Sequence, residues 1–241
     1  MISGAADGCQ RIILPAYSYP APPTTFWDGG IDAADPVQFL IANPATGPGE
    51  RADPNYVAAL ARVKASGIRV MGYADTAYGA REAGLVAAEM DTWSAVYGVT
   101  DVFLDQTASS PDQLPYYEAL AAHARARPGA ILMLNPGNNV DEGYLQVADI
   151  LNVFEGSQDE YAAFSPAEWT ADHPTSRFAH LIYDVPDEAA MLATLEQSIA
   201  QRAGYVYITS DTLPNPWEFL PPYWTAEVAR IRDACVAAAP G

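Results

Sequence analysis

Eight short apolar runs recur along this chain, at residues 11–16, 39–42, 69–73, 101–104, 130–134, 149–154, 178–182 and 205–208. They are nearly continuous rather than alternating with polar residues, the pattern of parallel strands covered on both faces. The stretches between them carry helix punctuation. Asp53-Pro54 reads as a cap and first helical residue, with Gly67 just past the end. Met191, Leu195 and Ile199 repeat at helical spacing until Gly204, and Trp224, Val228, Ile231 and Cys235 form one apolar stripe. Further helices are expected at 80–97 and 114–127, with shorter ones near 140–148 and 165–171. Between the first two runs, Pro20-Ala21-Pro22-Pro23 and Gly29-Gly30 favour a long loop over a helix. Strand–helix alternation over 241 residues fits a single-domain (β/α)8 barrel spanning 1–241, with a short N-terminal extension at 1–9. An open doubly wound sheet would normally carry a glycine-rich first turn, and none follows Ala16.

In such a barrel, chemistry sits where the strands end at their C-termini. Those ends read Tyr17 and Tyr19, Asn43, Tyr73 and Asp75, Asp105, Asn135, Glu155, Tyr183 and Asp184, and Thr209 and Asp211. Any strand reaching solvent ends in something polar. Eight in succession, rich in carboxylates, amides and tyrosines, point instead to a polar cleft. Asp105 and Glu155 stand out, because glycoside cleavage needs one acid to protonate the leaving oxygen and one carboxylate as nucleophile or base. Asp101, at the start of its run, would face the barrel bottom. Tyr17, Tyr19, Trp27, Tyr73, Tyr78, Trp217 and Tyr223 lie in or beside the mouth segments, where aromatic faces stack on sugars and polar tips bond hydroxyls. Core packing is the competing role for each of them, and Trp224 on the helical stripe is read as core.

Charge and composition exclude several functions. Thirty acidic against twelve basic residues, a formal charge of -18, leave no basic face for nucleic acid and would be repelled by an anionic membrane. No apolar run approaches the ~20 residues of a spanning helix. The opening Met-Ile-Ser-Gly-Ala-Ala-Asp-Gly lacks the basic and apolar regions of a signal peptide, so none exists or it has been removed. Lys64 is the sole lysine, which argues against Schiff-base and pyridoxal chemistry. His123, His173 and His180 show no ligand spacing, and no phosphate-cradling loop appears, so neither a metal nor a cofactor is expected. His180, inside a strand, reads as a core histidine. Gly47-Pro48-Gly49 reads as a rigid loop at the mouth.

Cys9 and Cys235 would meet at the barrel bottom, where the first strand and last helix are neighbours. A disulfide there would imply an exported protein, and two buried thiols are the alternative.

The segments Pro15-Ala16-Tyr17-Ser18-Tyr19-Pro20, Ile41-Ala42-Asn43-Pro44 with Gly47-Pro48-Gly49, Gly72-Tyr73 with Thr76, Tyr78 and Gly79, Leu134-Asn135-Pro136-Gly137, Phe154-Glu155 and Leu213-Pro214-Asn215-Pro216-Trp217 together resemble the spherulin 4 family, glycoside hydrolase family 135. The resemblance runs in order over nearly the whole chain. It implies a (β/α)8 barrel and endo-acting hydrolysis of α-1,4-linked N-acetylgalactosamine stretches in exopolysaccharide such as galactosaminogalactan. It also implies an Asp-Glu pair after strand four and a Glu after strand six. Asp105 and Glu155 match. Position 106 departs, with Gln106 where the family usually has Glu, through natural divergence or a substitution that traps substrate. An amide keeps the acid's shape but transfers no proton at neutral pH.

The expectation is therefore a secreted, monomeric hydrolase with Asp105 as nucleophile, Glu155 as general acid/base and Gln106 holding substrate or orienting Asp105. Tyr17, Tyr19, Asn43, Tyr73, Asp75, Tyr78, Asn135, Tyr183, Asp211 and Trp217 are the candidate sugar contacts. A cationic, partly deacetylated polymer would be drawn to so acidic a chain at low ionic strength. The alternatives are a catalytically silent carbohydrate-binding barrel, given Gln106, and a sugar-phosphate isomerase or lyase, which the missing phosphate loop and the single lysine oppose.

Overall fold

The structure, a computed structural model, describes residues 9–238; nearly all of the expected N-terminal extension lies outside them. Eight parallel strands close in sequence order: β1 (Arg11–Ala16), β2 (Val37–Ala42), β3 (Arg69–Asp75), β4 (Asp101–Asp105), β5 (Leu132–Leu134), β6 (Ile150–Ser157), β7 (Phe178–Tyr183) and β8 (Tyr205–Ile208). The ring closes where Arg11 and Ile12 pair with Tyr205 and Val206. This is a (β/α)8 barrel. All eight apolar runs became strands because each is covered inside by the barrel core and outside by helices.

The helices are α1 (Thr25–Asp32), α2 (Pro54–Ala65), α3 (Ala83–Tyr97), α4 (Leu114–Arg125), α5 (Gln158–Ala163), α6 (Glu188–Ala200) and α7 (Trp224–Ala238). Helix α2 starts as its sequence dictates: Asp53 accepts from the backbone N–H groups of Asn55 and Tyr56, and Pro54 opens the first turn. Helix α1 corrects the expected loop. Its prolines and glycines disfavour helix locally, but burial of Phe26 and Trp27 overrides propensity. The two glycines permit close approach: a side chain at Gly29 would strike Leu220, and one at Gly30 would strike Leu14. The short helices expected near 140–148 and 165–171 are 3-10 turns, Glu142–Gln146 and Glu168–Asp172, so the β5–β6 crossover has no α-helix. Helix α5 is an addition, fixed by a capping box between Ser157 and Glu160.

Two features secure the barrel bottom. Arg69 binds Asp101 through Nε (2.7 Å) and Nη2 (2.6 Å), and Asp101 also accepts from the Ile131 N–H, so the acid belongs to the scaffold. Cys9 and Cys235 form a disulfide that ties the segment before β1 to α7 across 226 residues. His180 is fully buried with Nδ1 2.7 Å from the Tyr161 hydroxyl, and burial pushes its pKa down to about 3.

Candidate active site

Asp105 is the last residue of β4, and Glu155 lies inside β6, which runs three residues further than its apolar run suggests. Between them stands Asn135, just past β5. Its backbone is locked by an N–H donated to Leu104 (2.8 Å) and a carbonyl accepting from Thr107 (3.0 Å). Its side-chain Nδ2 donates to Asp105 Oδ1 at 2.7 Å and to Glu155 Oε2 at 2.6 Å. Those two oxygens therefore lie at most about 5.3 Å apart, the combined length of the two bonds. Asn152, fully buried on β6, meets the Asn135 side chain amide to amide at 2.6 Å, and its nitrogen donates to the carbonyls of Phe154 (3.1 Å) and Ala179 (2.7 Å).

Glu155 is pinned by the turn opposite it. Gly137 donates to the Asn152 carbonyl (3.2 Å) and accepts from the Glu155 N–H (3.0 Å), bridging the irregular register of β6. Gly137 has φ +65, and a side chain there would press on the Glu155 Cβ at 3.4 Å, so glycine is required.

The two carboxyls differ in their support. Burial raises Asp105, opposed by the Tyr73 hydroxyl (2.8 Å to Oδ2), the Gln106 backbone N–H and Asn135. Burial, then the charge of Asp105, pushes Glu155 up to about 7, with Asn135 alone opposing. The better-supported Asp105 favours the ionised form, and Glu155 holds a proton near neutrality. That asymmetry separates an acid from a nucleophile.

Asp105, Gln106, Asn135 and Glu155 form the polar floor of a cavity of about 370 Å³, walled by Tyr78, Pro136, Gly137, Tyr183 and Leu213. Gln106 is held in the left-handed region at φ +48, its carbonyl accepting from the Tyr78 N–H and the Thr76 hydroxyl, both at 2.7 Å. Of the six non-glycine residues with positive φ among the described residues, five (Thr46, Ala77, Tyr78, Gln106 and Asp184) lie in loops at the C-terminal mouth. Backbone strain concentrates where side chains are aimed rather than packed.

Tyr17 and Tyr73 lie beside this floor, with rings edge to face at 5.8 Å. Burial, then the charges of Asp105 and Glu155, raise the Tyr17 pKa well above its usual value. Other candidates sit elsewhere. The side chain of Asn43 accepts from the Gly47 N–H, that of Asp75 from Ala77, and that of Asp211 from Phe219. Short polar side chains at loop starts satisfy nearby backbone donors, and these three shape the loops rather than line the cavity. Trp217 is buried against Tyr183 and Tyr207 and supports the wall from behind. Tyr19 belongs to a separate groove. Sequence reasoning missed Asn152, and it read Thr76 and Gly137 as parts of family motifs without assigning them a place in the site. Asn152 had a readable signal, an amide in the middle of an apolar strand. Among the described residues, no cluster of three or more His, Cys, Asp or Glu could hold a metal ion, and no helix is long and apolar enough to cross a membrane.

Comparison with known proteins agrees with this architecture. Sph3 of Aspergillus clavatus, solved in complex with GalNAc, superposes with a TM-score of 0.81 at 24% identity, covering 93% of this chain and 98% of that one. A chitinase from Rhizomucor miehei shares the fold more distantly, with a TM-score of 0.56 at 10% identity over 93% of this chain and all of that one (100%). Spherulin-4 of Physarum polycephalum is 33% identical over 150 residues, which are 60% of this chain and 44% of that protein; the match spans less than half of the relative's length. The sequence model of spherulation-specific family 4 matches residues 11–231, from the first strand into the last helix. With that match added to the barrel and its strand-end residues, the chain belongs to the spherulation-specific family 4.

Proposed function

We propose that this protein is a secreted glycoside hydrolase that cleaves internal α-1,4 linkages of N-acetylgalactosamine-containing exopolysaccharide with retention of configuration. The observation that carries this reading is the pairing of Asp105 and Glu155 through Asn135 on the floor of an open cavity. Retaining glycosidases hold their carboxyls ~5–5.5 Å apart, whereas inverting ones need ~6.5–9.5 Å to admit a water. The limit of about 5.3 Å between the bridged oxygens fits the first class. The sugar class rests on family membership and on the GalNAc bound by Sph3. Secretion is supported by the disulfide, which persists in oxidising compartments.

In this mechanism Glu155 donates its proton to the glycosidic oxygen as Asp105 attacks the anomeric carbon. The leaving chain departs as an alcohol, and a covalent glycosyl ester forms on Asp105. Glu155, now a carboxylate, takes a proton from water, whose oxygen displaces Asp105 and restores both groups. Tyr73 and the Gln106 N–H stabilise Asp105 as the departing carboxylate. The Gln106 amide bonds substrate but transfers no proton.

The test is release of oligosaccharide from a galactosamine-rich polymer. Asp105→Asn and Glu155→Gln should each abolish it, and NMR of the first product should show the α anomer. Full activity in both variants, or a β product, refutes the assignment. A second reading, a carbohydrate-binding barrel with impaired catalysis, is favoured by Gln106 on the cavity floor. Binding without turnover in the native chain, with turnover restored by Gln106→Glu, selects it.

A further inference from the structure

The large aromatic side chains exposed on this protein are not scattered. Among the described residues they are Tyr19 (53% exposed), Tyr78 (63%) and Phe219 (64%), each on a loop at the C-terminal mouth. Of the exposed aliphatic side chains among the described residues, Val57, Leu85, Ile199 and Val236 lie on the outer helices, and Leu213 joins the aromatics at the mouth. Tyr78 walls the carboxylate cavity. Tyr19 and Phe219 line a second cavity of about 370 Å³, bordered by Ser18, Glu218 and Leu220.

The Tyr19 ring is held in place although it faces solvent, and the Phe219 backbone beside it is fixed. The Tyr19 hydroxyl donates to Asp53 Oδ2 and accepts from Asn55 Nδ2, each at 2.9 Å. The Phe219 N–H donates to Asp211 Oδ2 at 3.0 Å, and its carbonyl accepts from the Tyr207 hydroxyl at 3.4 Å. A fixed aromatic face is a stacking platform whose conformational entropy is already spent. The groove also continues the proposed catalytic site along two chain segments. Tyr17 flanks the carboxylates while Ser18 and Tyr19 enter the groove; Leu213 walls the cavity while Glu218–Leu220 enter the groove. The carboxylates stand over β4 and β6, and the groove lies by β8 and β1, across the ring.

We infer that this groove is a distal sugar subsite, in which Phe219 and Tyr19 stack on hexosamine units of the polymer whose linkage lies at Asp105 and Glu155. The inference rests on the proposed hydrolase reading and extends it. A ligand that reaches both places spans several sugar units, so the subsite selects long chains over short ones.

Phe219→Ala, a truncation of an exposed side chain, tests it, with Phe219→Trp as the variant that keeps a platform. Affinity for α-1,4-linked N-acetylgalactosamine oligomers of increasing length is measured by calorimetry in the Glu155→Gln background, and turnover of the same oligomers in the native background. Phe219→Ala should lose about tenfold in affinity and kcat/KM on long oligomers, leave the shortest bound oligomer unchanged, and be rescued by Trp. An equal loss at every length, no loss on long oligomers, or no binding at any length overturns the subsite. If the native chain cleaves nothing while the length-dependent binding loss persists, the hydrolase reading falls and the subsite stands.

Discussion

Asn152 holds the far end of the Asn135 side chain, the two amides meeting at 2.6 Å. The Asn152 nitrogen is anchored to the carbonyls of Phe154 (3.1 Å) and Ala179 (2.7 Å), so this contact limits rotation of the Asn135 amide that bridges Asp105 and Glu155. A free amide could rotate and set an oxygen against two acids. Asn152→Leu, of similar volume, should lower kcat/KM about hundredfold by misplacing both groups. Asn135 also opposes the rise in the Glu155 pKa, so its loss should move the alkaline limb of the pH–rate profile upward. An unchanged limb with an unchanged rate removes this positioning role.

Glu155 links activity and stability with opposite signs. Burial and the neighbouring Asp105 push its carboxyl up to about 7 in the folded protein, against 4.5 for a free glutamate. Between those values the unfolded chain has released a proton that the native state retains, so native stability falls as pH rises through the window and levels off above it. Glutamine does not titrate. Glu155→Gln should therefore gain up to about 3 kcal/mol over the native chain as pH goes from 4.5 to 7.5, while turnover disappears. Urea unfolding at the two pH values measures the gain; the same difference at both contradicts the burial argument.

Asp101, although an acid on the same strand as Asp105, sits at the strand's start and should affect only folding. Asp101→Ala removes both bonds to Arg69 and the acceptor for Ile131, at a cost of about 2–4 kcal/mol. Chemical denaturation should report the loss, while kcat measured well below the melting temperature stays native. A fall in kcat without loss of stability would reverse the assignment.

The Cys9–Cys235 bridge closes almost the whole chain. Replacing both cysteines with serine should cost about 5 kcal/mol in the chain-entropy account, a Tm drop of roughly 10–20 °C at this size. The bridge lies at the barrel bottom, so kcat/KM at low temperature should not change. Calorimetry decides, and an unaltered Tm would mean the loop it closes is already ordered in the unfolded chain.

The barrel is legible in the order of residues alone, because each strand run is apolar on both faces and each helix except α1 and α5 follows its own periodicity or caps. The ring of polar strand ends is legible there too, since hydrophobic runs must stop where the sheet meets solvent. Which of those polar groups face one another depends on long-range contacts that no local pattern records. Asn43, Asp75 and Asp211 resemble Asn135 in one dimension, yet they turn back to cap their own loops while Asn135 bridges two acids. The helix α1 was equally hidden, because burial of Phe26 and Trp27 overrules a glycine- and proline-rich segment. Local spacing encodes local hydrogen bonds and periodicity; the approach of β4, β5 and β6 at one mouth is set by barrel closure, which sums over the whole chain.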